Sequence, residues 1–439
     1  MKYIFLLVTF FINYQYSTNG FIEEDYQSKV YFLYCLLLNF HLIKMTYKCK
    51  PIVLMYFFWL TYTLIFMPTY FFDFSFPIYI EGYEAKFLLD KAFIVHITFL
   101  TFVAFFQKKI KHNVYFFSHT SGKERKLTFW MTWTVMIIFA FFSVSGDSIL
   151  NTGGYTLGKI QQLGGFLPGE YFLIFLPIGY LFSGENKFKQ KLVLFAGVVF
   201  AVNGLLYGFR NYMLQCGLLI FIIFFDRKSL AYIKLIPLLI LGYLFLHWFG
   251  KIRGNIAAWS NFNLAEDLTA SGGTIGESIV NSLGNQFDIL YASIRLYAFI
   301  EMGLLGVSER LTSFLTSHLA VFVPFRFLPD LANLAAYKQN VYYSGGGGLI
   351  SCYYYVYAGY LGVFIIAYFI TWIMNHLLIT RSNLFILYGA MVLCTYPRWF
   401  GYNPITLIKL SFYVIPVYLL IRFVFSRNKI IDTNHICAA

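Results

Sequence analysis

Residues 231–255 read AYIKLIPLLILGYLFLHWFGKIRGN. The first nineteen carry one cation, Lys234, in an otherwise apolar run, and the chain then turns polar at Lys251 and stays mostly polar as far as Gly348. An apolar run of that length fits a bilayer crossing. A long polar segment cannot sit in lipid, where every backbone group must be satisfied internally, so residues 251–348 are expected outside the membrane or lining a cavity.

Composition extends this reading to the whole chain. Of 439 residues, 59% are hydrophobic and 12% charged, with 52 Phe and 36 Tyr. A soluble core of that apolarity would have too little polar surface to cover it. The expected fold is therefore an all-α polytopic membrane protein of about twelve transmembrane helices with one large outer loop. Apolar runs place the spans at about 2–17, 30–45, 51–72, 87–106, 128–145, 168–183, 191–208, 211–226, 231–249, 349–374, 383–400 and 405–425. Residues 1–249 form the N-terminal set of about nine helices, 250–348 the loop, and 349–439 about three helices and a tail. Lys2 followed by the apolar Tyr3–Phe11 also suits a signal peptide, but no small-residue cleavage site follows, so the segment is read as a helix.

Charge assigns the sides. Short loops hold Lys44, Lys48 and Lys50; Lys108, Lys109, Lys111, Lys123, Arg125 and Lys126; Lys187, Lys189 and Lys191; and Arg227, Lys228 and Lys234. Counting spans puts them on one side with Lys2, Arg381, Arg422, Arg427 and Lys429, altogether 20 of the 33 Lys and Arg. That side is expected to be cytoplasmic, with both termini on it, and the long loop faces outward. The net charge of +13 then reflects juxtamembrane clusters that meet anionic headgroups, and no nucleic-acid partner is indicated. The six cysteines lie in spans or at the cytoplasmic side, an arrangement that offers no disulfide framework and no thiolate metal site.

The outward face retains cations where the charge rule expects few. Arg210 occupies a tight hinge, Gly208-Phe209-Arg210-Asn211; Arg253 opens the loop in Arg253-Gly254-Asn255; Arg326 lies in Pro324-Phe325-Arg326-Phe327-Leu328-Pro329-Asp330; and Arg398 follows Pro397. Arginines at span ends commonly anchor to headgroups. A guanidinium also forks to phosphate oxygens, and grouped guanidinia can hold a diphosphate. Gly345, Gly346, Gly347 and Gly348 lead into a tyrosine run, Tyr353–Tyr357. Glycines before a helix can present N–H groups to an anion, and tyrosines can stack on sugar rings; a flexible loop entering an aromatic belt is the plainer alternative. Gly359 and Gly362 are read as packing positions. Helical spacing at about 275–303 and 308–326 predicts two surface helices within the loop. The loop carboxylates Asp267, Glu277, Asp288, Glu301, Glu309 and Asp330 are all available as a base, and His318 is read as a structural surface residue. No GxxxxGK[ST], GxSxG or HExxH motif occurs, and the isolated Asp73 and Asp147 do not make a divalent-metal pair. Neither a metal nor another cofactor is expected.

Together the Gly208–Asn211 hinge, the Arg253-Gly254-Asn255 turn, the Pro324–Asp330 segment and the glycine run leading to Tyr353 and Gly362 resemble the Wzy-type O-antigen and oligosaccharide repeat-unit polymerases. Many members carry Lys-Pro after the Pro-Asp and a Glu after the glycines; this chain departs from that pattern at Leu331 and Cys352. The resemblance implies a metal-independent, multi-span lipid-donor glycosyltransferase on the periplasmic face of a bacterial inner membrane. It would move a glycan from one undecaprenyl diphosphate to the next lipid-linked repeat unit, with a chain-length regulator as a possible partner. Within that reading Arg210 and Arg326 contact diphosphate, Asp330 orients or deprotonates the acceptor hydroxyl, and Arg253, Arg398, Gly345–Gly348 and Tyr353 shape the substrate site. An O-antigen ligase shares these features, whereas a lipid-linked oligosaccharide flippase would keep its charges inside the bundle and its loops short. A membrane acyltransferase would need an intramembrane His; His247 and His376 fall near span ends, and His96 lies within a span.

Overall fold

The computed structural model describes residues 2–19, 25–72, 85–117, 125–142, 169–207, 209–225, 285–342, 347–379 and 382–426. Among them every regular element is helical, and no strand occurs. Helices occupy each expected span except 231–249, which lies outside the described residues. Four are long and apolar enough to cross a membrane: Lys86–Phe106, Lys187–Leu206, Ile350–Leu377 and Thr406–Val424. Four shorter apolar helices accompany them, and the whole is consistent with a helical membrane protein.

Two compact units form, and neither is one continuous stretch of chain. The first comprises residues 1–114, 263–379 and 396–406. Its helices are α1 (Lys2–Asn19), α2 (Asp25–Thr46), α3 (Lys50–Leu64), the short α4 (Met67–Phe71) and α5 (Ala85–Phe106). The second comprises residues 115–262, 380–395 and 407–439, with α6 (Lys126–Phe142), α7 (Phe172–Ser183), α8 (Lys187–Leu206) and α9 (Arg210–Ile220). Later in the chain come α10 (Asn285–Glu301), α11 (Val307–Leu319), α12 (Leu334–Tyr342), α13 (Ile350–Leu377), α14 (Asn383–Cys394), α15 (Tyr396–Gly401) and α16 (Ile405–Ser426). Of these, α14 and nearly all of α16 belong to the second unit.

In the first unit α5 is central, packing on α1, α2, α10 and α13. Beyond its first turn it is apolar around most of its circumference, the pattern of an enclosed helix, and each buried polar side chain along it has a partner. Thr101 Oγ1 meets Thr9 Oγ1 at 2.7 Å, Thr98 Oγ1 accepts from Asn13 at 3.0 Å, His96 Nε2 lies 3.1 Å from Thr63 Oγ1, and Asp90 accepts from Tyr70 O–H at 2.8 Å. These bonds offset the cost of burying polar groups and fix the rotation of each helix against α5. Aromatic packing supplies the rest: Trp59 stacks on Phe400 at 4.6 Å, with Phe99 and Trp399 around them. Two expected spans are interrupted. The 51–72 run breaks at Ile65–Phe66, with Pro68 in the first turn of α4, and the 383–400 run breaks at Thr395, with Pro397 early in α15.

The second unit follows short connections. Asn186 caps α8 by accepting from the N–H groups of Phe188 and Lys189. Phe172 of α7 stacks on Phe200 of α8 at 4.1 Å, and a Cβ at Gly197 would lie 2.9 Å from Leu176, so glycine permits that close approach. Between α8 and α9 the hinge is as tight as its sequence suggests, closed by Phe209 N–H on the Gly204 carbonyl at 2.7 Å.

Helix α10 differs from the surface placement its spacing predicts. Phe287, Ile289, Leu290, Ala292, Ile294, Leu296, Tyr297, Ala298 and Phe299 are all buried. The apolar positions circle the helix, and α5 and α13 cover it. At its C-terminal end Glu301 pairs with Lys91 of α5, whose ammonium also lies 5.8 Å from the Tyr355 ring centre.

Candidate functional site

The glycine entry to α13 is a knot of backbone contacts. Gly347 and Gly348 have φ of +124° and +150°, a region open to glycine, and a Cβ at Gly347 would lie 3.1 Å from the Gly401 carbonyl oxygen. Gly348 N–H donates to that carbonyl at 3.1 Å, and Leu349 N–H donates to Ser293 Oγ at 2.8 Å. These two N–H groups are therefore spent within the protein. The Gly347 carbonyl accepts from Lys338 Nζ at 2.7 Å and from Tyr353 O–H at 3.1 Å. Tyr353 is 1% exposed, its ring enclosed by protein, and its hydroxyl also lies 3.2 Å from the Tyr402 carbonyl.

Lys338, which the sequence reading did not single out, is fully buried on α12. Among the described residues its side-chain nitrogen is bonded to main-chain oxygens, those of Gly347 and of Ala292 at 3.1 Å. Burial, with the nearby Arg295 charge second, pulls its pKa down from 10.5 to about 7.

Immediately beside this knot is a small recess whose enclosed space is about 10 Å³, room for about one water molecule. Ser317 and His318 of α11, Asn333, Tyr353, Tyr354 and Tyr357 at the start of α13, and Asn403 supply its polar lining. The 3₁₀ turn Asp330–Asn333 packs on α11, where Ser313 Oγ donates to the Leu331 carbonyl at 2.7 Å. The Arg398 segment brings Asn403 to the opposite wall through Tyr402 N–H and Asn403 N–H, both bonded to the Arg398 carbonyl.

His318 has a defined proton arrangement. Nδ1 lies 2.7 Å from the Phe314 carbonyl and must donate to it, since a carbonyl only accepts. Nε2 is then the lone-pair nitrogen and accepts from Tyr354 O–H at 3.2 Å. Burial lowers the imidazole pKa, which favours this neutral form. Chemically the pair is a phenol backed by a base, facing a pocket of amides and hydroxyls.

The other sequence-predicted residues fall as follows. Arg326 and Asp330 are both exposed, on successive 3₁₀ turns, and Arg326 lies 4.6 Å from the Phe327 ring centre. Arg398 is partly exposed on α15. Arg210 is the first residue of α9. Arg253, Gly345 and Gly346 lie outside the described residues. Among the carboxylates, Glu301 is engaged by Lys91, while Glu309 accepts from Ser308 at the exposed start of α11. All five cysteines among the described residues are buried thiols, and no group of three or more His, Cys, Asp and Glu comes together there.

Ser317, Asn333 and Asn403 are recess residues that the sequence reading did not single out, and His318 is one that it read as a structural surface residue. Ser313 and Ser317, four residues apart, signal a polar edge on this helix, whereas His318, three residues after Leu315 and seven after Leu311, falls by phase with Val307, Leu311, Leu315 and Leu319. Asn403 carried no such signal. No family model, curated protein or solved structure matches this chain.

Proposed function

We propose that this protein is an oligosaccharide repeat-unit polymerase of a bacterial inner membrane. It joins undecaprenyl-diphosphate-linked units on the periplasmic face without a metal. The observation that carries the proposal is the Tyr354–His318 pair, a tyrosine backed by a neutral histidine, in a recess that also holds Asn333 and Asn403 and adjoins the segment bearing Arg326 and Asp330. Amides and phenols hydrogen-bond to sugar hydroxyls, and tyrosine rings cover their apolar faces.

In the reaction the acceptor hydroxyl attacks the anomeric carbon as the bond from that carbon to the diphosphate oxygen breaks. The proton passes to Tyr354 as the phenol proton moves to His318 Nε2, and the electron pair leaves on diphosphate. This gives the base role to the histidine–tyrosine pair in place of Asp330. Arg326, exposed and without an ion pair among the described residues, meets the developing phosphate charge. Arg210 is assigned to the diphosphate from its sequence context, Gly208-Phe209-Arg210-Asn211, alone. Arg398 and Gly345–Gly348 are assigned to the acceptor side from the sequence resemblance. A ligase would use the same donor chemistry with a different acceptor.

A gel profile of surface lipopolysaccharide tests the reading. A deletion strain should lose the ladder and keep core bearing one repeat unit, and the wild-type gene should restore it. Arg326→Ala should fail to restore it, and Arg326→Lys should do so partly, since an ammonium cannot fork to two oxygens. Loss of the single-repeat band in the deletion would refute polymerisation in favour of ligation or export.

A further inference from the structure

Helix α11 is amphipathic in the inverted sense. Val307, Leu311, Leu315 and Leu319 are 80%, 56%, 53% and 50% exposed, while Ser313 and Ser317 are buried. Four-residue spacing puts the apolar set on one continuous strip, and Phe322 just beyond the helix is 62% exposed. In water that arrangement wastes apolar area and hides hydroxyls.

Helix α11 has a fixed level on α13. Ala358 and Gly359 leave helical geometry, Gly359 at φ +61° and ψ −148°, and break α13 into two parts. The break strips the Tyr355 and Val356 carbonyls of their helical donors, and Arg310 of α11 replaces them: Nη2 donates to Tyr355 at 3.3 Å and Nε donates to Val356. Beyond the break, Tyr360–Leu377 is about 27 Å long at ~1.5 Å per residue, close to the ~30 Å hydrocarbon thickness of a bilayer. That part bears its own exposed apolar residues, Leu361 and Ile365 among them. Arg310 thus clamps α11 at the break, where a bilayer-length segment of α13 begins, and the exposed Arg326, beside the exposed Phe327, lies in the stretch that follows α11.

We infer that α11 lies in the outer leaflet at the boundary between headgroups and acyl chains, its leucine strip in lipid and its serine edge forming the lipid-side wall of the recess. The recess accordingly sits at headgroup height. This rests on the membrane placement of α13 and not on the transfer reaction.

Spin-label accessibility tests it on the full chain in vesicles of phosphatidylethanolamine and phosphatidylglycerol. Single labels go at Leu311→Cys, Leu315→Cys and Glu309→Cys, with Leu361→Cys as reference, in a Cys437→Ser background because the other five cysteines are buried. The expected result is collision with oxygen exceeding collision with a water-soluble nickel complex at 311, 315 and 361, and the reverse at 309. Nickel preference at 315 with oxygen preference at 361 overturns the placement of α11 alone. Nickel preference at both removes the membrane placement as well. Dipolar broadening between labels at 315 assigns the strip to a second copy of the chain and overturns the inference too.

Discussion

Replacing Lys338 with methionine should stabilise this protein, although it deletes two hydrogen bonds. The lysine is fully buried and its pKa is about 7 in the folded state against 10.5 ordinarily. Between those values the unfolded chain binds the proton and the folded one does not, so wild-type stability rises with pH from about 7 towards 10.5, by up to about 1.4 kcal/mol per pH unit. At pH 7.5 surrendering that proton costs about 4 kcal/mol relative to a side chain that never carries one. The Gly347 carbonyl keeps Tyr353 as a donor, and the Ala292 carbonyl sits within α10, so neither is orphaned by the change. Two lost hydrogen bonds at about 1 kcal/mol each leave a net gain of about 2 kcal/mol for Lys338→Met. Unfolding midpoints in detergent, followed by tryptophan fluorescence at one scan rate from pH 7 to 10, provide the assay. The wild type should climb across the series and the variant should start higher and stay flat. A variant that melts below the wild type at pH 7.5, or that retains the wild-type slope, would refute the buried-cation argument.

Gly359→Ala forces a side chain onto a conformation that essentially only glycine adopts, in open space, so its cost of about 1–3 kcal/mol is backbone strain alone; a midpoint equal to wild type would show that the kink is not held. Tyr354→Phe should leave the midpoint near wild type, since the ring stays and only the hydroxyl goes, while polymer formation falls by about 10²–10⁴-fold. His318→Gln should lose activity similarly, and both losses should exceed that of Asp330→Asn when in-vitro chain extension is measured with lipid-linked repeat units. Equal activity of Tyr354→Phe and wild type would exclude the histidine–tyrosine pair from proton transfer.

Much of the secondary structure was legible because it depends on properties local to the chain. Apolar run length located α5, α8, α13 and α16 to within a few residues, and the Gly208–Asn211 hinge announced its tight turn. Prolines marked the interruptions before α4 and within α15 only once the helices were in place. The candidate site was less legible. The tyrosine run pointed to the right segment, and Tyr353 and Tyr354 both line the recess, but the Tyr353 hydroxyl is bonded to main-chain carbonyls while that of Tyr354 meets His318. Helical phase distinguishes adjacent tyrosines, and that phase is set by what packs against α13.

By itself the sequence determined that this chain forms apolar helices with basic connections, because hydropathy and charge act through nearest neighbours and through solvent. Tertiary structure alone decided which surfaces those helices show. The same periodic pattern put α10 under cover and left the leucines of α11 outside, since α5 and α13 enclose the one and Arg310, drawn to two carbonyls freed by a glycine far along the chain, turns the serine edge of the other inward. Lys338 makes the same point: nothing in its neighbours marks it for burial, and its altered proton affinity comes from a shell assembled by residues 292 and 347.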